Sequence, residues 1–457
     1  NFKYNMQGGF AGPNARGARG VVLPLDDDAT DAIREAIWRE TLQRYEFARN
    51  MYDQAKTRAT VSVEDEDKAP CFSDAPMVRY YEAPLAAGRQ KMDIKRAWEQ
   101  RLNEVSAVFK TCPELSEGSA SFSFQILRTY FVNSEGSLVV QNRVATRVML
   151  MASLKAADGM ELPLNRDYFA YTPDDLPDND RMIADARDMI KRLLALRDAP
   201  VADPYTGPAI LSGPASGVFF HEIFGHRLEG HRLKSGGQTF KKMVGEQVLP
   251  VEFQVYCAPL LKRYADTDLY GHYVYDDEGV KARRVDNVVN GVLKEFLMSR
   301  VPLDGFPVSN GHGRTSGGGD PVSRQSNLII ETNRPYTEDE LRAMLVEEAK
   351  KQGKEYGYYF RTVTSGFTYT GEGGSLNSFN VTPLEVYRGF VDGRPDQLWR
   401  GYDRDSPVNV LEHHGCRQQT ERVHGRLRGR VRLGTRDGNL THDIREPDRN
   451  TTPGTST

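Results

Sequence analysis

His221 and His226 stand five residues apart with Glu222 beside the first, and this spacing restricts the local fold more than any other feature of the chain. Two imidazoles and a carboxylate on one turn are the donors of a hydrolytic metal site. Neutral imidazole nitrogens bind Zn²⁺ at about 2.0–2.1 Å, with an open position for water. The metal lowers that water's pKa towards about 7, and an adjacent Glu can take its proton. Histidines at i and i+4 lie about 40° apart around an α-helix, but i and i+5 lie about 140° apart. Both can face one ion only through a wide, π-type turn, placed here at Gly225, and such turns concentrate at functional sites. The spacing therefore predicts a distorted turn between His221 and His226. A regular α-helix with diverging imidazoles would count against a metal. The bland alternative is a chance match with His221 a core histidine, because the signature is short.

The rest of the chain reads as α+β. Helical spacing of apolar residues runs from about Asp31 to Lys56, from about Met92 to Phe109 and from about Asn179 to Arg197. Between the last two lie β-branched and aromatic runs, 121–132 and 137–154, split by the turn-like Asn133-Ser134-Glu135-Gly136. They read as neighbouring antiparallel strands. The Pro/Gly-rich stretch from Ala199 to Pro214 looks like a domain boundary. Beyond it, one short motif helix is followed by strands and turns to about residue 403. The expected domains are therefore a mixed α/β unit over 1–200, a β-rich unit over 205–403 and a separate tail over 404–457. Because residue 1 is Asn and not Met, the first unit is expected to be truncated at its start.

The 457 residues carry a net charge of -3, which gives no support for a nucleic-acid binder. No apolar run of about 18 residues exists to span a membrane as a helix. Four scattered cysteines, Cys71, Cys112, Cys257 and Cys416, fit a reducing compartment better than a disulfide scaffold. A cytoplasmic location is the expectation, with a leader before residue 1 and export left open. The charge is uneven. Residues 404–457 hold 10 Arg, no Lys, 7 acids and no aromatic residue, a net of +3 against -6 for the remainder. Such a tail would ordinarily read as a polyanion-binding arm.

The string HEIFGHRLEGHRLKSGGQTFKKMVGEQVLP (221–250) resembles the TldD/PmbA family of metalloproteases. So do YDDEGVKARRV (275–285), SNGHGR (309–314) and GKEYGYYFRTVTSGF (353–367), in the family's order. The resemblance is strongest from about Gly213 to Gly401. It implies that His221 and His226 bind a metal, usually taken as zinc, and that Glu222 is the catalytic base. It also implies peptide substrates and a homologous TldD/PmbA-type subunit in a homo- or hetero-oligomer. His231 reads as a helix-end or cleft residue more readily than as a ligand. Asp276, Asp277 and Glu278 read as a turn with backbone-bonding carboxylates more readily than as a calcium site. The glycines at 317–319 read as a flexible loop, since no Lys-Ser/Thr follows them.

The family's third metal ligand is a Cys in a C-terminal motif resembling CGAESGWVP, and residues 404–457 contain no such string. Codons for Val423–Arg436, read one nucleotide later, can spell Thr-Gly-Val-Cys-Gly-Ala-Glu-Ser-Gly-Trp-Val-Pro. Each shifted codon has its outer bases mostly set by the residues present, so accidental compatibility over this length is improbable. The tail is therefore expected to be translated out of frame from about Arg404, with Leu427 falling where the Cys codon belongs. A polar, Arg-rich segment without aromatics should not order itself. The rescue of a third ligand by Cys416, His413, His414 or Cys257 would be coincidence. The chain reads as a zinc-dependent peptidase of TldD type, either active or, for want of the third ligand, inactive as it stands. The rivals are a non-catalytic peptide-binding or partner subunit and, in a third class, a polyanion-binding module using the Arg tail.

Overall fold

The computed structural model describes residues 28–59, 68–85, 90–203, 205–234, 240–315, 320–368, 379–401, 431–436 and 439–444, with Val21, Leu23, Pro24 and Asp26. It is an α+β structure, as its alternating patterns require. Helix α1 (Thr30–Ala59) precedes strand β1 (Arg79–Tyr81) and helix α2 (Gln90–Ala107). Strands β2 (Glu117–Val132) and β3 (Leu138–Lys155) pair antiparallel along their whole length, from Glu117↔Ser153 to Val132↔Leu138. The turn expected at Asn133–Gly136 joins them. Gly136 takes φ 91° there, and the Asn133 side chain accepts the Ser137 N–H at 2.9 Å. The other edge of β3 pairs in parallel with β1 and antiparallel with β4 (Glu161–Ala170).

Helix α3 (Asn179–Asp198) begins where the Asp178 carboxylate accepts the Arg181 N–H at 2.8 Å, satisfying an orphan donor of the first turn. Its apolar stripe, Met182, Ala186, Met189 and Leu193, is buried with Val148, Leu150 and Leu154 of β3. From α2, Trp98 stacks on Phe122 at 4.4 Å between ring centroids. The three helices and the hairpin thus follow the periodicities read from the sequence.

The second half holds β5 (Ala209–Leu211), α4 (Gly213–Phe220), α5 (Gly230–Lys234), β6 (Phe253–Cys257), the short ladder β7 (Arg263–Tyr264) with β8 (Thr267–Asp268), β9 (Val285–Val289) and β10 (Val292–Leu293). There follow the ladder β11 (Gly313–Arg314) with β12 (Val322–Ser323), then β13 (Leu328–Thr332), α6 (Glu338–Lys351), β14 (Tyr356–Thr368), β15 (Phe379–Phe390) and β16 (Gln397–Arg400), and finally β17 (Val431–Arg436) and β18 (Asn439–Ile444). One sheet has the order β10-β9-β6-β13-β17-β18 and another the order β16-β15-β14-β5. A second buried cluster, containing Phe220, Phe224, Phe253, Val255, Leu328 and Ile330, lies among α4, the residues that follow it and these strands.

Two expectations for this half need correction. Besides the motif helix there is α6, capped by Thr337 with Glu340 in a reciprocal capping box. That Thr-x-x-Glu pattern is a helix start legible in the sequence. The expectation of an unordered tail does not hold for its described segments, since β17 pairs antiparallel with β13 and β18 pairs with β17; the rest of the tail lies outside the described residues. The outer edge of β13 offers unpaired backbone groups, and pairing with them depends little on side-chain identity. Cys416, His413, His414, Leu427 and the glycines at 317–319 lie outside the described residues.

Asn290 and Gly291, at φ 49° and 77°, form the two-residue connection between β9 and β10, the Asn-Gly hairpin turn. A Cβ on Gly291 would meet the backbone carbonyl oxygens of Leu249 and Pro250. Gly291→Ala should therefore destabilise the fold by about 1–3 kcal/mol, read as a lowered midpoint in urea.

Candidate metal centre

The approach to His221 is set by β5 and α4. Parallel pairing of β5 with Tyr358–Phe360 of β14 places Ser212, which donates its hydroxyl to the Arg361 carbonyl at 2.7 Å. The same oxygen accepts the Ala215 N–H at 3.2 Å and caps α4, with Pro214 in the first turn. Ala215, Val218 and Phe220 are buried, so the helix is anchored on its apolar side.

At His221 the helix widens. His221–Gly225 is a five-residue π-helical turn, closed by the His226 N–H on the His221 carbonyl, and a 3₁₀ turn over His226–Leu228 follows. This is the distortion that the i, i+5 spacing demands. Its consequence is convergence: the imidazole centroids are 4.5 Å apart at 72°. One ligand atom each from His221, Glu222 and His226 lies within 4.8 Å of the others.

The wide turn displaces carbonyls from their usual partners, and side chains serve them. Thr368 donates its hydroxyl to the Glu222 carbonyl at 2.6 Å, and the buried Arg227 guanidinium donates to the Ile223 carbonyl at 2.8 Å. Gly225 has no room for a side chain, because a Cβ would run into the buried Gln325 amide. Phe224 packs between Phe220 and Phe240, holding the turn from the core side.

His221 and Glu222 are buried, while the His226 side chain retains 18% exposure. Burial lifts the Glu222 carboxyl above its ordinary range, against the opposing pull of His226. Its Oε2 is buried and accepts no hydrogen bond among the described residues. It lies 3.7 Å from His226 Nε2. A desolvated carboxylate oxygen beside two imidazoles is an environment that a divalent cation satisfies, so the donor set fits a divalent metal ion. On the outer side, His226 Nδ1 lies 3.2 Å from Glu229 Oε1. Glu229 is 1% exposed. Burial alone would raise its carboxyl, but Arg232, His226 and Arg324 hold it well below the usual range.

Other sequence candidates serve the scaffold. His231 sits on α5 and does not join the three-residue group. Cys257 is buried in β6, its thiol pushed up to about 12 by burial. Asp276 accepts the N–H groups of Glu278, Val280 and Gly313, and Asp277 accepts that of Thr315, which is the backbone-bonding turn expected there. Gly311, at φ 77°, approaches the Lys281–Ala282 backbone too closely for a Cβ. The runs 275–285 and 309–314 are therefore two loops locked together. Residues that sequence reasoning passed over are Arg227, Glu229, Gln325 and Thr368. Only Glu229 carried a local signal, three residues beyond His226 and so within one turn of it.

His312 lies in the locked loops, fully buried between Asn310 and the Ser326 hydroxyl. Burial pushes its pKa down to about 3, against about 6.5 in an unfolded chain. A depressed histidine contributes stability that is present above the unfolded value and lost as pH falls towards the folded one. Asp276 and Glu278 oppose it, since burial lifts them to about 7 and about 8 and their contribution is lost as pH rises through those values. The His312 contribution is isolated by difference. The stability gap between wild type and His312→Gln should shrink by about 1.4 kcal/mol per pH unit below about 6.5. Urea unfolding at pH 7.5 and 5.5 measures it, and a gap independent of pH would refute it.

Residues 204–374 match the family model described as the PmbA/TldA metallopeptidase C-terminal domain. A metalloprotease of Methanocaldococcus jannaschii is 27% identical over 276 residues, covering 59% of this chain and 55% of that protein. A protein named zinc metalloprotease TldD homolog, from Saccharolobus solfataricus, is 24% identical over 218 residues, 46% of each chain. The chain spans about half the length of these curated relatives. A crystal structure from Thermotoga maritima, described as a candidate modulator of a DNA gyrase, superposes with a TM-score of 0.52 at 16% identity. It covers 78% of this chain and 74% of that one, and shows the likeness of fold.

Proposed function

Because this chain belongs to the TldD/PmbA family, we propose that it is built as a zinc-dependent peptidase, with His221 and His226 as metal ligands and Glu222 as general base. The observation that carries the reading is the π turn, which brings two histidines at an unfavourable spacing together with Glu222. Zinc, when bound, supplies a Lewis acid and lowers the pKa of water. The chain's own residues do the rest. Glu222, with its carboxyl raised by burial and one oxygen without a hydrogen bond among the described residues, is disposed to accept a proton beside the histidines. The His226 side is the more exposed one and gives an extended peptide its approach. A homologous subunit of the same fold is the proposed partner.

On this reading the third ligand would come from the tail. The packing of β17 and β18 against α4, the helix that leads into His221, supports that source. A +1 reading of codons for that segment can spell the Cys that the family resemblance calls for. Metal analysis of this chain beside a frame-corrected one tests the proposal, together with peptide hydrolysis with and without chelator. The corrected chain should hold one zinc and lose hydrolysis in chelator. A DNA that cannot spell the Cys motif in the +1 frame would remove the frame argument. Peptide binding without zinc in either chain would instead indicate a non-catalytic subunit.

A further inference from the structure

We propose that Glu229 is a positioning residue that holds His226 in its Nδ1–H tautomer, leaving the Nε2 lone pair to face the metal. The purpose of this role rests on the metal reading above, but its geometry does not. The backbone at Glu229 is clamped. Gly230 N–H donates to the Leu297 carbonyl at 2.9 Å, and Leu297 N–H donates to the Leu228 carbonyl at 2.8 Å. Gly230 leaves no space for a side chain, since a Cβ would sit 2.5 Å from Met298 Sδ and 3.0 Å from the Leu297 carbonyl oxygen.

From that fixed point the carboxylate takes two duties. Oε2 accepts from Arg232 Nε at 2.6 Å and from Arg324 at 3.3 Å, while Oε1 lies 3.2 Å from His226 Nδ1. A carboxylate has only lone pairs to offer, so its contact with Nδ1 is a hydrogen bond only if Nδ1 carries the proton. Arg232 Nη2 also lies 3.2 Å from Nδ1 and favours the opposite tautomer, because a guanidinium only donates. The carboxylate prevails on two grounds. The buried anion gains a charge-assisted bond from the imidazole proton. On the other side of the ring, Nε2 is 3.7 Å from Glu222 Oε2, too far to give that oxygen a normal hydrogen bond in exchange. A carboxylate behind a ligating histidine sets the ring's tautomer and orientation, and losing such a partner typically weakens metal binding about 10–100-fold.

Two measurements test it. In the metal-free chain labelled with ¹⁵N-histidine, long-range ¹H–¹⁵N correlations at neutral pH should show His226 protonated at Nδ1. Protonation at Nε2 would overturn the assignment. In zinc competition titrations, Glu229→Gln should bind about 10–100-fold more weakly with an unchanged far-UV circular dichroism spectrum. Equal zinc affinity in a folded variant would also overturn it. If Glu229→Gln does not fold, the tautomer in the wild-type chain decides. If neither the wild-type nor the frame-corrected chain takes zinc, the metal reading fails and the tautomer still judges Glu229.

Discussion

In a frame-corrected chain, Glu222→Gln is expected to lower kcat/KM for peptide hydrolysis by about 10²–10⁴-fold, the usual contribution of a positioned general base. The amide keeps the volume of the side chain but cannot accept a proton. The Thr368 hydroxyl bonds the Glu222 backbone carbonyl, a contact that Glu222→Gln retains, so the π turn should persist. Zinc content separates two roles that the geometry brings close together, since a Glu222 oxygen lies within 4.8 Å of both imidazole donors. Full zinc with lost hydrolysis identifies a base. Lost zinc would make Glu222 a ligand, and full zinc with unchanged rate would remove it from the chemistry.

The second large effect lies outside the site. Glu385 on β15 is fully buried. Its carboxylate accepts from Arg192 of α3, at 3.0 Å from Nε, and from the Thr362 hydroxyl of β14. Burial would raise this carboxyl, but those hydrogen bonds, with Arg361 nearby, hold it below the ordinary value. The pair joins the helix of the first half to the sheet of the second. Glu385→Ala should cost about 3 kcal/mol, because it strips the largely buried Arg192 side chain of its buried partner and leaves it only the more exposed Asp188 at 3.6 Å. Replacing both residues by Leu should recover much of that loss. Denaturant unfolding of the single and double variants measures both, and a single variant within about 0.5 kcal/mol of wild type would show the surface-like behaviour of an inessential pair.

Much of the architecture was legible because it repeats locally. The apolar stripe of α3 and the alternation of β2 and β3 each state a period, and the period names the element. The spacing of His221 and His226 was equally informative: five residues cannot converge on a straight α-helix, so the π turn followed from geometry before any fold was known. Helix α6 carries its capping box but buries only Leu345 and Ala349, so its apolar period is too weak to name the element.

The tail shows the opposite limit. Its composition argued against order, yet β17 and β18 extend a sheet by way of the open edge of β13. Backbone pairing of that kind leaves no side-chain signature.

What the sequence alone determined is therefore the local chemistry: which residues can donate to a metal, and what turn must bring them together. The tertiary structure decided which distant groups complete that chemistry. Thr368 arrives from β14 to serve a carbonyl freed by the π turn. Gln325 is the group that makes Gly225 obligatory, and Arg324 helps keep Glu229 charged beside His226. The reason is physical. Hydrogen bonds and burial act over a few ångströms in space, and residues a hundred positions apart carry no pattern along the chain that foretells such a meeting.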